Sequence, residues 1–394
     1  MEVTVLAAFV FAALLAWVWL ALLRGGFWLC DQRLPECGDP GNGWPAVTAV
    51  IPARDEAESI AESIRSLADQ DYPGDLAIVL VDDNSSDGTA GAARKAEPSR
   101  RLDIVDGAPL ADGWTGKLWA MHQGIARAAE VSSDAQYILL TDADIAHGRD
   151  ALRRLVAMAE ANGLDLASLM VRLRCDSFWE RWLIPAFVYF FQKLYPFRWV
   201  QSGKRPAAAG GCMLVRRSAL DRIGGVESIR DCVIDDCALA AEIARNGRIW
   251  LGLAETSASI RGYDGLSGIW NMVARTAFVQ LRHSYLQLSG TVLGMAFLYL
   301  LPPAGLITGF ATGDAAAMAF GAAGCGLMAA LYVPMLQLYR LAAWRSAFLP
   351  LVALIYTLMT VSSAWRHLCG RGGTWKGRSY EAPTPPSASP PEGR

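Results

Sequence analysis

The chain is short of the features that mark nucleic-acid binding and structural metal sites. Its 36 basic and 38 acidic side chains nearly cancel over 394 residues, which leaves no surplus of positive charge for a nucleic-acid backbone. The eight cysteines form no CxxC pair, and the four histidines are His122, His147, His283 and His367. Histidines this dispersed do not predict a ligand cluster, and isolated thiols are typical of a reducing compartment. We therefore expect no zinc site and no nucleic-acid partner.

Long apolar runs, in contrast, occur at both ends of the chain. From Val3 to Leu23 the only polar residue is Thr4, and about 20 apolar residues suffice to cross a bilayer. No basic segment precedes this run, and it is too long for the apolar part of a cleaved signal peptide. Residues 1–25 are therefore predicted to be a transmembrane anchor.

Residues 285–366 are predicted to be a second membrane region, of two or three spans. Runs of span length lie at 286–310, 315–339 and 347–365. Arg24, Arg340 and Arg345 all fit one side of the membrane if the first two runs form a hairpin, but a third span would carry the basic residues after 365 to the other side. Prolines interrupt the runs, so one of them is open to interpretation as a re-entrant segment.

The polar middle, residues 44–265, is predicted to be one α/β domain, followed by an interfacial segment at 266–284. Short apolar runs at 46–51, 76–81, 102–106 and 137–141 read as buried strands, and helical spacing follows the first two. Asp55, three residues before Glu58, is predicted to cap the first helix. Such alternation predicts a mostly parallel sheet with helices on both faces, in which ligands bind beyond the carboxyl ends of the strands.

Acidic clusters follow three of these four strands. They are Asp55 with Glu56, Asp82 with Asp83, and Asp142 with Asp144. In an extended segment Asp142 and Asp144 project to one side, and paired carboxylates suit Mg²⁺ or Mn²⁺, which complete their shells with substrate phosphates and water. The alternative is a solvated turn in which Asp144 caps the next helix. We expect the three clusters to meet at one edge of the sheet.

Two further motifs carry charges suited to group transfer. Lys117, in "GWTGKLWA", is a compact cation placed to meet a diphosphate, although a lysine after a glycine is also a common surface residue. Asp235 and Asp236, in "CVIDDCALA", open a predicted helix. They either favour the helix dipole or include a general base, because a neighbouring anion and partial burial raise the pKa of a carboxyl group.

In this order, "TAVIPARDEAESI", "VLVDDNSSDGT", "GWTGKLWAMHQG", "LLTDADI", "GGCMLVRRSALDRIGG" and "IDDCALA" resemble the motifs of the family 2 glycosyltransferases, which have the GT-A fold. The resemblance covers residues 46 to about 285. Within the family, "CDQRLP", "LIPAFVYFFQKLYPF" and "WKGRSY" resemble the bacterial hopene-associated glycosyltransferases.

The resemblance implies a role for each matching residue. Asp82 and Asp83 would contact the nucleotide base and ribose, with Pro52, Arg54 and Glu56 lining the same pocket. Asp142 and Asp144 would hold a divalent metal, Mg²⁺ or Mn²⁺, against the diphosphate of a nucleotide sugar. Asp236, or else Asp235, would deprotonate the acceptor hydroxyl in a single displacement that inverts the anomeric carbon.

One motif of many membrane members is missing. "WNMVARTAFVQLRHS" stands where QxxRW is expected and does not match it, so Arg275, Gln280 and Arg282 are the substitutes we predict for stabilising the product diphosphate.

A lipid acceptor is favoured by the segment 178–199, which contains ten aromatic residues and charged residues near its ends. We interpret it as an interfacial helix beside the active site, the alternative being a buried aromatic core. The resemblance implies a hopanoid or another polyprenoid as acceptor, and a multi-pass protein of the inner (cytoplasmic) membrane with its catalytic domain in the cytoplasm. Polyprenyl phosphate, a glycerolipid, and a non-catalytic nucleotide-binding scaffold remain alternatives. Residues 381–394 are expected to be disordered.

Overall fold

The computed structural model describes residues 4–36, 38–41, 43–370, 374–375 and 378–379. The predicted disordered tail, 381–394, lies outside them. The strands are β1 Val47–Ala53, β2 Leu76–Asp82, β3 Arg101–Asp106, β4 Tyr137–Leu140, β5 Ile145–Ala146, β6 Leu166–Arg172, β7 Met213–Arg216, β8 Ile249–Ser259, β9 Thr374–Trp375 and β10 Arg378–Ser379.

The α-helices are α1 Val5–Leu23, α2 Ile60–Ala68, α3 Thr89–Arg94, α4 Gly116–Val131, α5 Ala151–Asn162, α6 Phe178–Leu194, α7 Phe197–Gln201, α8 Arg217–Arg222, α9 Asp235–Ala244, α10 Gly265–Gln280, α11 Tyr285–Met295, α12 Leu301–Thr312, α13 Ala315–Leu338 and α14 Leu349–Leu368. A π-helical turn, Ala296–Leu300, joins α11 to α12, and 3₁₀ turns occupy Gly225–Ile229 and Ala343–Phe348.

The first eight strands form one sheet in the order β3-β2-β1-β4-β7-β6-β8-β5. The four strands from β3 to β4 run parallel, β7 is antiparallel to both of its neighbours, and β5 is antiparallel to β8. This mostly parallel sheet confirms the predicted α/β class. Parallel strands require helical crossovers, which explains why helices α2 and α4 follow β1 and β3.

Each face of the sheet is covered by its own apolar core. Val50 of β1 packs into the core under α4, whereas its neighbours Ala49 and Ile51 pack into the core under α2 and α5. The alternation follows from the two-residue period of a strand, and burial on both faces explains why β1 is apolar almost throughout. At Gly124 of α4, a Cβ atom would lie 2.4 Å from Val50, so only glycine permits this close helix-to-sheet contact.

Within the described residues, four helical segments are long and apolar enough to cross a membrane: Val5–Leu23, Tyr285–Thr312, Ala315–Leu338 and Ala343–Leu368. The first three pack closely through small residues, as is common in membrane helix bundles. A Cβ atom at Gly305 would lie 2.4 Å from Val10 of α1, and one at Gly321 would lie 2.5 Å from the backbone of Leu306.

The segment "CDQRLP", which follows α1, contacts strand β8 of the sheet. The backbone carbonyl of Gln32 accepts from the amide of Leu253 at 2.8 Å, and its side chain donates to the carbonyl of Leu251 at 2.9 Å. Arg33 forms a parallel bridge to the same strand, β8. These contacts hold the segment that follows α1 against β8.

Helix α6 lies between the sheet and the helices that are long and apolar enough to cross a membrane. Ser177 and Glu180 form a capping box at its first turn, which fixes where the helix begins. Its side chains Leu183, Ile184 and Tyr189 are buried, and Tyr189 packs against Tyr332 of α13. Helix α6 also contacts α10, α13 and α14, so many of its aromatic side chains are covered, while its position at a membrane surface stays a prediction.

Candidate active site

A large cavity lies beyond the carboxyl ends of β1 and β4. Its volume is about 1020 Å³. Eight of the residues predicted from the sequence line it: Pro52, Glu56, Lys117, Asp142, Asp144, Asp235, Asp236 and Arg275. They come from segments more than 200 residues apart. Pro52, Glu56, Asp142 and Asp144 meet because the parallel strands β1 and β4 end at the same edge of the sheet, and the other four lie on α4, α9 and α10.

Three other predicted residues, Arg54, Asp82 and Asp83, lie at the same strand ends but outside the cavity lining. Arg54 donates to the carbonyl of Asp83 at 2.5 Å, and Asp82 accepts from the amide of Ser85 at 3.0 Å. The Asp83 side chain is fully buried. These contacts tie the loop after β1 to the loop after β2 and give them a defined shape.

Asp55 joins the same two loops and does not cap a helix. Its backbone is left-handed, with φ of 51°, and its carboxylate accepts from the amide of Ser86 at 2.8 Å. Helix α2 begins only at Ile60, with Ser59 at the N-cap position. The prediction that Asp55 caps the first helix was therefore wrong, because its carboxylate accepts a hydrogen bond from Ser86, which is distant in the sequence.

Lys117 lies between two acidic motifs. Its Nζ is 2.8 Å from Oδ1 of Asp142 and 3.0 Å from Oδ2 of Asp235. Burial opposes the charge on Lys117, but the two carboxylates outweigh it and hold the lysine pKa above its ordinary value. Burial likewise tends to raise the pKa of Asp142, and Lys117 reverses this and lowers it. The lysine therefore stays protonated and keeps Asp142 ionised.

Asp144 is paired with Arg261, a residue that sequence reasoning missed. Nε of Arg261 is 3.1 Å from Asp144 Oδ2, and the guanidinium also donates to both carboxylate oxygens of Glu56. Burial, followed by the charge of Asp142, raises the pKa of Asp144 to about 6. The available signal was the position of Arg261 two residues after β8, but that strand had not been predicted.

Asp236 is held by two backbone amides. Its Oδ2 accepts from Gly210 at 2.9 Å, and its Oδ1 accepts from Cys237 at 2.7 Å. Burial, and then the neighbouring charge of Asp235, raises the pKa of Asp236 to about 6. A carboxylate whose pKa lies this close to neutrality is suited to accept a proton from a substrate.

A chain of buried hydrogen bonds connects Thr141, which directly precedes the "DAD" motif, to the segment that holds Asp236. The Thr141 hydroxyl donates to the carbonyl of Gly211 at 2.8 Å, so its 2.9 Å contact with His147 is one in which the ring Nε2 donates. Burial lowers the pKa of His147 to about 4, which keeps the ring neutral. Gly210, whose amide donates to Asp236, directly precedes Gly211. Sequence reasoning treated His147 as a local contact and gave it no role in the site.

Of the three residues predicted to replace QxxRW, the structure brings Arg275 to the cavity wall. Its charge also helps to lower the pKa of Asp142. Gln280 instead donates to the hydroxyl of Tyr195 at 2.7 Å, and Arg282 lies in a left-handed turn after α10. Neither of the last two lines the cavity.

The two carboxylates of the "DAD" motif fit a divalent cation in chemistry. Both line the cavity, and burial, followed by the charge of Asp142, raises the pKa of Asp144, which a bound cation would lower again. The described part of the chain contains no group of three or more His, Cys, Asp or Glu placed to hold a metal. An ion held by Asp142 and Asp144 would therefore take further ligands from water and a bound phosphate, as Mg²⁺ commonly does.

Comparison with known proteins agrees with this fold. Residues 48–224 match the model of the family described as "Glycosyl transferase family 2". A 4,4'-diaponeurosporenoate glycosyltransferase of Staphylococcus aureus is 34% identical over 120 residues, which are 30% of this chain and 29% of that protein. The chain thus spans less than a third of the length of that curated relative.

Among solved structures, the mannosyltransferase PcManGT of Pyrobaculum calidifontis, in complex with GDP-Man and Mn²⁺, superposes with a TM-score of 0.52. It is 20% identical, and the match covers 92% of this chain and 99% of that one. The likeness confirms the predicted GT-A fold.

Proposed function

We infer that this protein, in which residues 48–224 match the family 2 glycosyltransferase model, is a membrane-bound, inverting glycosyltransferase. It would move a sugar from a nucleotide-diphosphate sugar to a lipid acceptor. The observation that carries this proposal is the content of one cavity. A carboxylate suited to be a base, a cation suited to a diphosphate and a wall of apolar side chains all face the same space.

The donor is proposed to bind along the acidic side of the cavity. The loops after β1 and β2, with Pro52, Arg54, Glu56, Asp82 and Asp83, would hold the nucleoside. Ligands of open α/β sheets bind at such strand ends, which supports this placement.

The diphosphate is proposed to lie between Lys117, Arg275 and the "DAD" motif. Asp142 and Asp144 would hold Mg²⁺ or Mn²⁺, and the bound ion would supply positive charge to the diphosphate. The solved mannosyltransferase is described with GDP-Man and Mn²⁺, which supports a donor and a metal of this kind. Lys117 and Arg275 would each place a further positive charge next to the departing oxygen.

The proposed reaction is one displacement at the anomeric carbon. The acceptor oxygen forms a bond to that carbon while the bond to the diphosphate oxygen breaks, and the acceptor proton passes to Asp236. The nucleoside diphosphate leaves with the bonding electron pair. Because the attacking oxygen enters opposite the leaving group, the anomeric configuration inverts.

Asp236 is preferred to Asp235 as the base because the contacts of the two residues differ. The Asp235 carboxylate is taken up by an ion pair with Lys117 at 3.0 Å, whereas Asp236 is held by the backbone amides of Gly210 and Cys237. The raised pKa of Asp236, about 6, supports its use near neutral pH.

A lipid acceptor is supported by the apolar wall of the cavity and by the membrane helices beside it. Phe187 and Phe191 of α6 line the cavity, as do Met272 and Phe278 of α10. The curated relative is named for 4,4'-diaponeurosporenoate, a polyprenoid-like carotenoid acid, which fits an amphiphilic acceptor. Within that class we propose a hopanoid or another polyprenoid, with polyprenyl phosphate and glycerolipid as competing acceptors. The site is proposed to face the cytoplasm from the inner membrane.

The test uses membranes from cells that express the protein, incubated with radiolabelled UDP-glucose, UDP-N-acetylglucosamine or GDP-mannose and a lipid extract that contains hopanoids. We expect label in the organic phase with one donor, loss of that label with EDTA, and its recovery with Mg²⁺ or Mn²⁺. Asp236→Asn should lower the rate by about 10²–10⁴-fold. Nucleotide binding with no labelled lipid under any condition would favour a non-catalytic scaffold instead.

A further inference from the structure

The last apolar helix, α14, is bonded to the catalytic side of the molecule over most of its length. The Tyr356 hydroxyl donates to the carbonyl of Leu183 in α6 at 2.8 Å. Further along, the Ser363 hydroxyl accepts from the amide of Phe278 in α10 at 3.0 Å, and Trp270 of α10 donates to Ser362 at 3.1 Å.

The end of α14 is held in the same way. Arg366 donates to Asn271 of α10 at 2.8 Å, and the ring of His367 stacks on His283, with 4.3 Å between centroids. Helix α10 begins only six residues after β8 ends, so it belongs to the catalytic side. A helix that crossed the bilayer from that side would end about 30 Å away from it, whereas both halves of α14 contact catalytic-side helices.

The opposite end of the membrane bundle has different contacts. There Thr4, before α1, donates to Asp314, between α12 and α13. Those two residues mark the far side of the bundle. Among the described residues, the side-chain hydrogen bonds and ring contacts that α14 makes with other segments go instead to α6, α10 and His283. The tight turn at Asp314 is therefore the expected position of the opposite membrane surface.

The exposed face of α14 is apolar. Its members recur every three or four residues, as on one side of a helix: Leu351, Leu354, Leu358, Val361, Trp365 and Leu368. The residues after this helix are rich in Arg and Lys, and basic segments next to membrane helices favour the cytoplasmic side. An apolar face with a basic end fits a helix lying in the membrane surface.

The other face of α14 closes the cavity. Ser363, Arg366 and His367 line it, as do Phe187 and Phe191 of α6. The same cavity contains Asp236. A lipid whose hydroxyl reaches Asp236 would thus have its apolar body in the arm bounded by α6, α10 and α14, hereafter the acceptor arm.

We propose that α14 does not cross the bilayer but lies at its surface on the catalytic side, where it forms one wall of the acceptor arm that holds the apolar body of the lipid. The position of α14 stands on its own contacts. The occupancy of the acceptor arm rests on the proposed glycosyl transfer.

The first test locates the end of α14. Cys369 is exposed and directly follows the helix, whereas the other described cysteines are buried or partly buried. A membrane-impermeant maleimide would be applied to right-side-out and to inverted vesicles, with Cys369→Ser as background. In that background Ser228→Cys reports the catalytic side and Thr312→Cys the far side. We expect Cys369 to be labelled from the same side as Ser228→Cys, and labelling together with Thr312→Cys would overturn the proposal.

The second test blocks the acceptor arm. Met272→Trp adds bulk to its wall, and Leu358→Trp adds the same bulk on the exposed face of α14. With the nucleotide sugar that the wild type uses, we expect Met272→Trp to lower lipid labelling at least tenfold at unchanged donor affinity, and Leu358→Trp to leave it unchanged. Equal labelling in both variants would refute the acceptor arm. If the wild type labels no lipid, the proposed function fails, while the side on which Cys369 reacts still decides the position of α14.

Discussion

Replacing Asp236 by Asn should make the protein more stable at neutral pH while it removes the proposed base. The pKa of Asp236 is about 6 in the folded chain, against an ordinary 3.8. This raised value means that the folded state binds the proton more tightly than the unfolded state. The contribution of Asp236 to the free energy of unfolding is therefore fully present below about pH 4. It is lost as the pH rises through about 6, and it changes little above about pH 7.

The magnitude follows from the same two values. A tenfold change in proton affinity is worth about 1.36 kcal/mol, so the ionised carboxylate costs about 3 kcal/mol above pH 7. An amide keeps the acceptor for the Gly210 amide but places an NH₂ group near the Cys237 amide, and we expect a net gain of about 2 kcal/mol.

The assay is thermal unfolding of the purified protein in detergent, at pH 4.5 and pH 8. Asp236→Asn should raise Tm by about 2–5 °C at pH 8, and this gain should shrink at pH 4.5. Asp235→Asn is the matched control, because it removes a partner of Lys117 and should lower Tm at pH 8. If Asp236→Asn is less stable than the wild type at pH 8, or gains equally at both pH values, the assigned environment of Asp236 is wrong.

Three further predictions concern the cations and the hydrogen-bond chain of the site. Lys117→Met removes the charge between two carboxylates and should lower kcat/KM for the nucleotide sugar about 100-fold; an unchanged value would exclude a role at the diphosphate. Arg261→Met should raise the pKa of Asp144 further, so the metal concentration for half-maximal activity should increase, most of all below pH 7; a pH-independent increase would contradict this. His147→Leu and Thr141→Val should each lower kcat about tenfold, the double variant should be no worse than either, and His147→Gln, which keeps a donor, should recover activity. Additive losses would show that the two side chains act separately.

Much of the fold could be predicted because its signals are local. The apolar runs at 76–81 and 102–106 correspond to β2, Leu76–Asp82, and β3, Arg101–Asp106. The acidic clusters met as expected because parallel strands place their carboxyl ends together, which follows from topology and needs no distance information.

The rest of the site depends on contacts between distant segments. Arg261 reaches Glu56 across 205 residues, and nothing near either residue in the sequence reports this pairing. Likewise, Asp55 is of a residue type that often caps helices, but its carboxylate accepts from the amide of Ser86, and α2 begins only at Ile60. Periodicity and length mark α14 as a possible span, and only its bonds to α6 and α10 distinguish a helix that lies beside the catalytic domain.

The central claim is a direct, inverting sugar transfer to a membrane lipid with Asp236 as base. The measurement that tests it most directly is the anomeric configuration of the glycolipid that the purified protein forms in lipid nanodiscs from an α-linked nucleotide sugar, determined by NMR. We predict a β-linked lipid from the wild type and at least a hundredfold less of it from Asp236→Asn. An α-linked product, or an equal yield from the variant, would contradict the mechanism.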